Sequence, residues 1–467
     1  MSIKKRSETN FLEKKKIGGK VSLYLWVNNI RKLGNILFVI GQRKNEILQL
    51  ITKEEKLIRL LEKIKRGDLL KIRGIVREKI GETAGEKEIE LIKFVLVNSS
   101  KLLPFSISDD ISITERLKYK YRYLDLRRFN SRKLLLLKSR FLFEVRAFFY
   151  KRQFIEIETP ILSQYSPEGA HCFHVPLNAI SDSNDNNVVS SYFLAQSPQI
   201  FKQLLMIAGF EKYYQIAKSF RNEDARSNRQ IEFSQLDVEM SFVSMKQICV
   251  LVEEFLKTVL PRVFDSNLKI SFSTITYRQA IEQYKTEKPD IRKNKEDNTY
   301  LSFLWITDWP LFSFDDEEKK YKSLRHPFTT LKKVHEKRFL NGLIKPEEVI
   351  GEAFDLICNG EEILSGGMRI NKRKLQEKVF ETLGYDSQDM NIMFGYFLEA
   401  LEFAAPPHGG FGLGIDRLLA VILGTKSLKE LLAFPKNIDG TCSVTGAPTR
   451  FEKCTNTDCE CKTKFFF

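Results

Sequence analysis

Five short runs rich in leucine, β-branched and aromatic residues follow one another between Val21 and Val97. They read VSLYLWV, NILFVIG, EILQLI, LLKIRGIV and IELIKFVLV, and each has the length and composition of a strand. One polar stretch with helical character, TKEEKLIRLLEKIKRG, separates the third run from the fourth. Five strands and one helix within about 80 residues predict a small barrel.

A barrel with this outline is typical of the OB-fold, which often binds single-stranded nucleic acid. In such barrels bases stack on exposed aromatic rings while a basic groove follows the backbone. The candidates for that face are Arg31, Phe38 and Gln49, together with Trp26, although Trp26 is better explained as barrel core. The formal net charge of +15 also favours a polyanionic partner, because binding then releases counterions.

The remainder of the chain predicts one large second domain. A linker is expected at Leu102–Asp110, a helical stretch at Ile113–Arg128 and a long amphipathic helix at about Ser131–Lys151, before an alternating strand that Pro160 ends. From Tyr192 onward, strands and helices mix without a regular βαβ repeat. That pattern favours an antiparallel sheet carrying helices over a doubly wound sheet.

Two separated runs combine arginines with carboxylates, and the second also contains glycines. The first, FRNEDARSNRQIEFSQLDVEMSF, extends from Phe220 to Phe242, and the second, GLGIDR, from Gly412 to Arg417. Together they suggest a triphosphate clamp with a metal ion. Neither of the two commonest nucleotide motifs is present, since the sequence has no GxxxxGK[ST] and no GxGxxG that opens a helix after a strand.

Cysteine usage and hydropathy predict a cytoplasmic protein that does not enter a membrane. The seven cysteines are odd in number and lack the spacing of a secreted disulfide framework. No apolar run approaches the roughly 20 residues of a membrane span, and the N-terminus has no apolar core of a signal peptide. Cys442, Cys454, Cys459 and Cys461 near the end do not have the paired spacing of a zinc ribbon.

Read together, these segments resemble class II aminoacyl-tRNA synthetases, and within them the bacterial-type aspartyl-tRNA synthetases. The three class motifs have counterparts in FIEIETPIL with Pro160, FRNEDARSNRQIEF with Arg221, and GLGIDR with Arg417. Narrower signals are WVNNIRKLGNILFVI, YRYLDLRR, LAQSPQIFKQLL and APPHGGFGLGIDR. The resemblance covers roughly Val21 to Pro435.

The resemblance implies an α+β architecture, in which an N-terminal OB-fold barrel reads the tRNA anticodon and an antiparallel sheet flanked by helices carries out catalysis. The expected segments are a basic arm at 1–20, the barrel at 21–101, a linker at 102–130, the catalytic domain at 131–440 and a tail at 441–467. It also implies a homodimer formed through the segment around Pro160. Arg31, Phe38 and Gln49 are the barrel residues expected at the anticodon.

The implied reaction has two steps. Aspartate and ATP give aspartyl-adenylate and pyrophosphate, and the terminal adenosine of tRNA(Asp) then attacks the activated carbonyl. Whether tRNA(Asn) is a second acceptor stays open. The alternatives are an asparagine–tRNA ligase and a non-catalytic tRNA-binding relative. The cations expected to select a negatively charged side chain argue against the asparagine enzyme. The ATP clamp argues against the non-catalytic relative, because a binding module does not need one.

The resemblance also assigns roles to individual side chains, with Arg221 and Arg417 as the catalytic pair. The ATP contacts are expected to be Arg221, Asn222, Glu223, Gln230, Phe233, Glu362, Gly414, Ile415, Asp416 and Arg417. The aspartate contacts are expected to be Glu168, Ser197, Gln199, Lys202, Arg221, Asp237, Arg325 and Arg369. Asp355 and Glu362 correspond to a magnesium-binding pair, and Mg²⁺ fits such a pair because it takes few protein carboxylates and keeps phosphate and water ligands.

The sequence departs from the bacterial-type pattern in four places. The large inserted domain is absent near residues 288–300. Arg325 stands where the first of two histidines is usual, as a substrate contact, and the usual glycine triplet followed by serine is replaced by LSGG at Leu364–Gly367. Gln153 occupies a turn position where glycine is common. We interpret the three local changes as drift in an enzyme that keeps its activity.

Overall fold

The computed structural model describes residues 11–44, 46–79, 85–165, 170–177, 191–226, 228–264, 268–297, 299–425, 427–451 and 465–466. The chain divides into two compact units, Lys5–Lys133 and, further along, Leu134–Phe467. Within the described ranges no helix is both long enough and apolar enough to cross a membrane. Glu168 and the three last cysteines of the tail fall outside those ranges.

The first unit is built around a closed barrel with strand order β1-β2-β3-β5-β4. Its elements are β1 (Lys20–Leu33), β2 (Ile36–Arg43), β3 (Glu46–Thr52), α1 (Glu55–Leu61), β4 (Leu69–Glu78) and β5 (Lys87–Asn98). On β1 the apolar side chains Val21, Leu23, Leu25 and Val27 alternate into the core, as the period of a half-buried strand requires. The predicted barrel is therefore confirmed.

Trp26 is not part of that core. It lies on the other face of β1 and is half-buried, with the guanidinium of Arg127 4.5 Å from its ring centroid. The interpretation of Trp26 as barrel core was therefore wrong. A bulge between Val27 and Asn29 shifts the alternation, so Asn29 and Arg31 continue the outward face on which Trp26 lies.

The predicted helical stretch at Ile113–Arg128 forms two short helices, α2 (Glu115–Lys120) and α3 (Arg122–Asp125). The break falls at Tyr121, whose φ and ψ of −109° and 41° are not helical. Arg122 and Asp125 form a fully buried ion pair within α3.

The elements that follow build the second unit. The helices are α4 (Phe129–Lys151), α5 (Gln199–Ile207), α6 (Met245–Val263), α7 (Tyr277–Tyr284), α8 (Lys333–Leu340), α9 (Arg373–Thr382), α10 (Ser387–Leu401) and α11 (Ile415–Leu423). The strands are β6 (Ile155–Glu156), β7 (Leu162–Ser163), β8 (His174–Pro176), β9 (Ser191–Leu194), β10 (Lys212–Phe220), β11 (Glu232–Ser241), β12 (Lys269–Thr276), β13 (Tyr300–Thr307), β14 (Phe312–Asp315), β15 (Lys320–Ser323), β16 (Ala353–Cys358), β17 (Glu361–Met368), β18 (His408–Gly414), β19 (Arg450–Phe451) and β20 (Phe465–Phe466).

Eight of these strands form one sheet in the order β12-β13-β16-β17-β18-β11-β10-β6. The pairs from β13 to β10 are antiparallel, whereas the two edge strands β12 and β6 pair in parallel. The expected antiparallel sheet flanked by helices is thus confirmed, with a parallel strand at each edge. Phe141 and Phe149 on α4 pack against Phe255 on α6 to build the core beside the sheet.

The turn after α4 places Gln153 at a φ of 63°, in the left-handed region. Glycine adopts that region without strain, which is why glycine is common at such a turn. The substitution therefore strains a turn and does not bring a side chain into the chemistry of the domain.

Candidate functional site

A cavity of about 520 Å³ lies over the middle of the eight-stranded sheet. Strands β11, β17 and β18 supply its floor, while the loop between β10 and β11, helix α5 and the segment after β15 supply its walls. The sequence-predicted residues that line it are Ser197, Gln199, Lys202, Arg221, Glu223, Gln230, Phe233, Asp237, Arg325, Glu362, Arg369, Gly414, Asp416 and Arg417. Side chains from both arginine-containing runs therefore meet in one place.

Strand β11 carries a row of side chains along the cavity. Because successive strand residues point to opposite faces, Phe233, Gln235, Asp237 and Glu239 share one face. Their partners across the ladder are glycines: Gly414 is opposite Gln235, Gly412 opposite Asp237 and Gly410 opposite Glu239. A Cβ at Gly410 would lie 2.3 Å from Oε2 of Glu239, so glycine there makes room for the carboxylate.

Four charged side chains form a buried network at one end of this row. Nζ of Lys202, on α5, lies 3.0 Å from Asp237 and 3.3 Å from Glu239. Nε of Arg369, which follows β17, donates to Oε1 of Glu239 at 2.8 Å, and its Nη2 donates to Oε2 at 3.2 Å. All four residues are at most 3% exposed. Two cations are therefore fixed in a water-poor environment at this end of the cavity.

The environment sets the protonation of this network. Burial alone would raise the pKa of Glu239, but Arg369 and Lys202 outweigh it and hold that pKa below its ordinary value. Nη1 of Arg369 also donates to Nε2 of His326, which must be unprotonated to accept. Burial, with Arg369 and Lys202 close by, lowers the pKa of His326 well below its ordinary value.

Ser197 and Gln199 complete this end at the start of α5. The hydroxyl of Ser197 accepts from the backbone N–H of Gln199 at 3.2 Å, which orients the first turn of the helix. The Nε2 atom of Gln199 is buried and has no hydrogen-bond partner within the described residues. A donor that faces the cavity is therefore left for a bound molecule to satisfy.

At the other end of the row the side chains suit a nucleotide. The guanidinium of Arg221 lies 5.3 Å from the ring centroid of Phe233, and in the described part of the chain Arg221 forms no ion pair. Nη1 of Arg417 donates to the main-chain carbonyl of Glu362 at 2.8 Å and lies 3.7 Å from Oε1 of its carboxylate. Glu223 pairs with Arg229 at 3.2 Å. The arginines thus face the cavity with few intramolecular partners.

Of four further residues predicted to contact ATP, two are bound by other parts of the chain and two do not line the cavity. Gln230 exchanges two hydrogen bonds with the backbone of Lys436, at 2.9 and 3.3 Å. Asp416 is buried and pairs with Lys138 of α4, and burial raises its pKa. Asn222 is exposed and Ile415 is fully buried in the core, and neither lines the cavity.

The predicted metal pair is only partly assembled. Glu362 lines the cavity, whereas Asp355 on β16 does not, and the carboxylate of Asp355 accepts from Nη2 of Arg325. Among the described residues there is no group of three or more histidine, cysteine or acidic side chains that could hold a metal ion. Glu168, the remaining predicted aspartate contact, lies outside the described residues.

Two of the departures from the family's sequence pattern lie in a strand and in a connection of the eight-stranded sheet. Leu364–Gly367 lies within β17, where a Cβ on Gly366 would come 2.6 Å from the carbonyl oxygen of Gly410, so glycine is needed for the strands to pair closely. The connection between α7 and β13, where the sequence predicts that the inserted domain is absent, contains a 2.9 Å ion pair between Asp290 and Arg292. It contributes Glu287 and Lys288 to the cavity wall.

Sequence reasoning missed Glu239 and His326, although both are central to the network. The alternation in EFSQLDVEMS could have identified Glu239, because it lies two residues beyond Asp237 on the same strand face. His326 had no such signal. Its role depends on Arg369, which is 43 residues away in the chain.

The three barrel residues predicted at the anticodon share the outer face of β1, β2 and β3. Arg31 is directly opposite Phe38, and Gln49 is opposite Ile40, two residues along from Phe38. Arg31 is exposed and Phe38 is half-buried. Gln49 donates to the buried carboxylate of Glu88 at 2.7 Å, which fixes its amide on this face.

Comparison with known proteins identifies what the chain is similar to. The family described as tRNA synthetases class II (D, K and N) matches residues 114–438. An aspartate–tRNA(Asp/Asn) ligase of Dictyoglomus turgidum is 32% identical, over 94% of this chain and 95% of the relative. An aspartate–tRNA ligase of Staphylococcus aureus is 30% identical, over 93% and 95%. The first alignment spans 574 positions, more than the 467 residues of this chain, as expected if an inserted segment is absent here.

Solved structures with the same fold include an aspartyl-tRNA synthetase from Entamoeba histolytica, at 20% identity, with a TM-score of 0.69 over 90% of this chain and 89% of that one. An asparaginyl-tRNA synthetase from Pyrococcus horikoshii, complexed with asparaginyl-adenylate, has a TM-score of 0.69 at 21% identity, over 90% and 95%. At these identities the likeness concerns the fold, and the two structures bear different names.

Replacing Glu239 by glutamine should lower the free energy of unfolding by about 3–5 kcal/mol, because it leaves Arg369 and Lys202 buried with one anion fewer. Denaturant titration of the purified protein measures this. The matched control is Glu254→Gln, which breaks an exposed 3.2 Å pair with Arg152 and should cost less than about 1 kcal/mol. Equal losses in the two variants would contradict a special role for the buried network.

The stability of the protein should fall as the pH drops below about 6.5, the ordinary pKa of histidine. In that range the unfolded chain takes up a proton that native His326 cannot, because its pKa is lowered well below that value. The free energy of unfolding then decreases by at most about 1.4 kcal/mol per pH unit for this one site. Denaturant unfolding between pH 5 and 7.5 should give a shallower pH dependence for His326→Gln. Parallel slopes for the two proteins would exclude this account.

Proposed function

The chain belongs to the class II tRNA synthetases (D, K and N), and from this premise we propose how its cavity serves an aspartate–tRNA ligase. The observation that carries the proposal is the pair of buried cations, Lys202 and Arg369, in the same cavity as Arg221 and Arg417. An acidic amino acid and a nucleotide can therefore bind side by side along β11.

We place the side-chain carboxylate of aspartate at Lys202 and Arg369. Asparagine would bring a neutral amide to these cations, and its NH2 group would face N–H donors that it cannot accept from. A site built around buried polar groups rejects a ligand that leaves those groups unpaired. Ser197, Gln199 and Asp237 line the same end of the cavity, and the free Nε2 of Gln199 is available to the substrate.

ATP is placed at the other end of β11, with its base against Phe233 and its phosphates between Arg221 and Arg417. Attack of the aspartate carboxylate on the α-phosphorus builds negative charge on the phosphate oxygens. A guanidinium fixed in a shielded cavity stabilises that charge without reorganisation. Arg221 can donate to the α-phosphate and to the substrate carboxylate together, because its fork presents several N–H groups.

Magnesium would supply further charge neutralisation on the phosphates when it is bound. Of the predicted ligands, Glu362 fits this role best, since its carboxylate faces the cavity and is 34% exposed. Asp355 fits it less well, because Arg325 already neutralises its carboxylate through Oδ2 and only the buried Oδ1 has no partner within the described residues. The remaining positions of a magnesium ion are those that phosphate oxygens and water usually take.

We further propose that the outer face of β1–β3 receives the anticodon of tRNA(Asp). A second acceptor, tRNA(Asn), is also proposed, and aminoacylation assays with the two tRNAs test it. Arg31 supplies charge and Phe38 a ring for stacking.

The segment around Pro160 is proposed as a homodimer interface, since Ile155, Ile161 and Leu162 beside it are exposed. The described cysteines are free, which supports a cytoplasmic location.

Pyrophosphate exchange with ATP and magnesium, in the presence of aspartate, asparagine or neither, tests the proposal. We expect exchange with aspartate alone. Exchange with asparagine alone would favour the asparagine enzyme, and no exchange in any mixture would favour a non-catalytic tRNA-binding relative. In the same assay Arg221→Ala should raise the activation barrier by about 2–4 kcal/mol, because one charge-stabilising donor is lost. The exposed Arg278→Ala, outside the cavity, is the control, and equal rates in the two variants would reject the role of Arg221.

Substitution of Phe38 by alanine should weaken binding of tRNA(Asp) by about 1–3 kcal/mol, the contribution of one stacked base. Filter binding or fluorescence titration with unmodified transcript measures the change. Tyr24→Ala provides a control. Tyr24 is an exposed aromatic residue of β1 that is paired with Lys71 of β4, on another part of the barrel. A larger effect from Tyr24 than from Phe38 would move the RNA site to that other part.

A further inference from the structure

Arg325 is held between an aromatic ring and a buried carboxylate. Its guanidinium carbon lies 3.5 Å from the ring centroid of Trp309, and its Nη2 donates to Oδ2 of Asp355. Trp309 is itself fixed, since its Nε1 donates to the carbonyl of Ile306 at 3.1 Å and its ring packs against Tyr277. The side chain of Arg325 is only 16% exposed, so its position is set by packing.

This arginine lies at the place where two carboxylates were expected to bind a metal ion. Asp355 is 1% exposed and is paired in register with Ile306 of β13 and Ser365 of β17. Glu362, at the start of β17, faces the cavity and is close enough to Arg325 to act on its charge. Glu287, from the short connection that replaces the inserted domain, acts on Arg325 in the same way.

We propose that Arg325 takes the place of a divalent cation at Asp355 and acts as the resident positive charge on this side of the ATP end. A guanidinium is always protonated, has five donors and neutralises a carboxylate without any metal. Here it bonds to Oδ2 of Asp355, whereas the buried Oδ1 has no hydrogen-bond partner within the described residues. With Asp355 engaged in this way, Glu362 is the one carboxylate of the predicted pair that is left for magnesium. The inference rests on the proposed binding of ATP in this cavity.

The arrangement also separates two neighbouring residues by function. Arg325 faces Asp355 at the nucleotide end, whereas the next residue, His326, accepts from Arg369 at the aspartate end. A histidine at position 325 would be neutral near pH 7 or carry a charge that titrates away. It would leave the carboxylate of Asp355 available to a metal ion, and a second carboxylate ligand raises the affinity of a hard-cation site.

The test is Mn²⁺ binding, followed by the electron paramagnetic resonance signal of the free ion, first with the full chain alone and then with ATP added. Arg325→His should bind Mn²⁺ about tenfold more tightly than the wild type, the usual scale of one partner at a metal site. Asp355→Asn should bind Mn²⁺ like the wild type, because its carboxylate is not used for metal. In the double variant Arg325→His/Asp355→Asn the gain should disappear.

Arg278→His, at an exposed arginine that pairs with Glu282, controls for adding a histidine and should leave Mn²⁺ affinity unchanged. If Arg325→His does not fold, Arg325→Gln removes the charge at similar length and gives the same comparison. Equal Mn²⁺ affinity in the wild type and the Arg325 variants would overturn the inference, as would weaker Mn²⁺ binding by Asp355→Asn alone. Failure of every variant to bind ATP would instead count against the proposed function, because the comparison with Mn²⁺ alone does not depend on ATP.

Discussion

The buried network of Lys202, Asp237, Glu239 and Arg369 is the constraint on which the rest of the site depends. Charges taken out of water are costly unless each has a partner with good geometry. Here the partners come from α5, from β11 and from the end of β17, so the three elements must be correctly placed before the charges are satisfied. Gly410 of β18 follows from the same requirement, because a side chain there would collide with the carboxylate of Glu239. The proposed recognition of an acidic substrate and the packing of the sheet thus depend on one arrangement.

The two ends of the cavity use positive charge differently. At the end proposed for the amino acid the cations are already paired with carboxylates, so we expect a ligand to be selected by how it joins a hydrogen-bonded network that is already formed. At the end proposed for the nucleotide, Arg221 has no ionic partner in the described part of the chain and Arg417 has only a distant one, which suits a ligand that brings several negative charges. Arg325, on the side proposed for the nucleotide, is neutralised by Asp355. Its pairing explains why a departure from the family pattern need not leave an uncompensated charge in the wall.

The barrel could be predicted from the sequence, as could the residues of the long motifs that line the cavity, because strand alternation and motif position are local properties. What could not be predicted depends on pairs that are distant in the chain. Gln230 is bound by the backbone of Lys436, 206 residues later, and Asp355 is bound by Arg325, 30 residues earlier. Trp26 was misplaced because a large aromatic on a strand fits either face until a neighbour such as Arg127 is known. The break at Tyr121 likewise follows from local backbone geometry that helical periodicity does not record.

Strand β11 also fixes a distance along the cavity. A strand advances about 3.3 Å per residue, so Phe233 and Asp237 are held roughly 13 Å apart along one straight edge. In the proposed site, the number of residues between Phe233 and Asp237 therefore fixes the distance between the base of the nucleotide and the side chain of the amino acid. Adding or deleting one residue within EFSQLDVEMS would not simply lengthen the site, since it would turn one half of the row away from the cavity. Side chains along this edge can therefore be substituted individually, whereas the number of residues between Phe233 and Asp237 cannot change by one without disrupting the row.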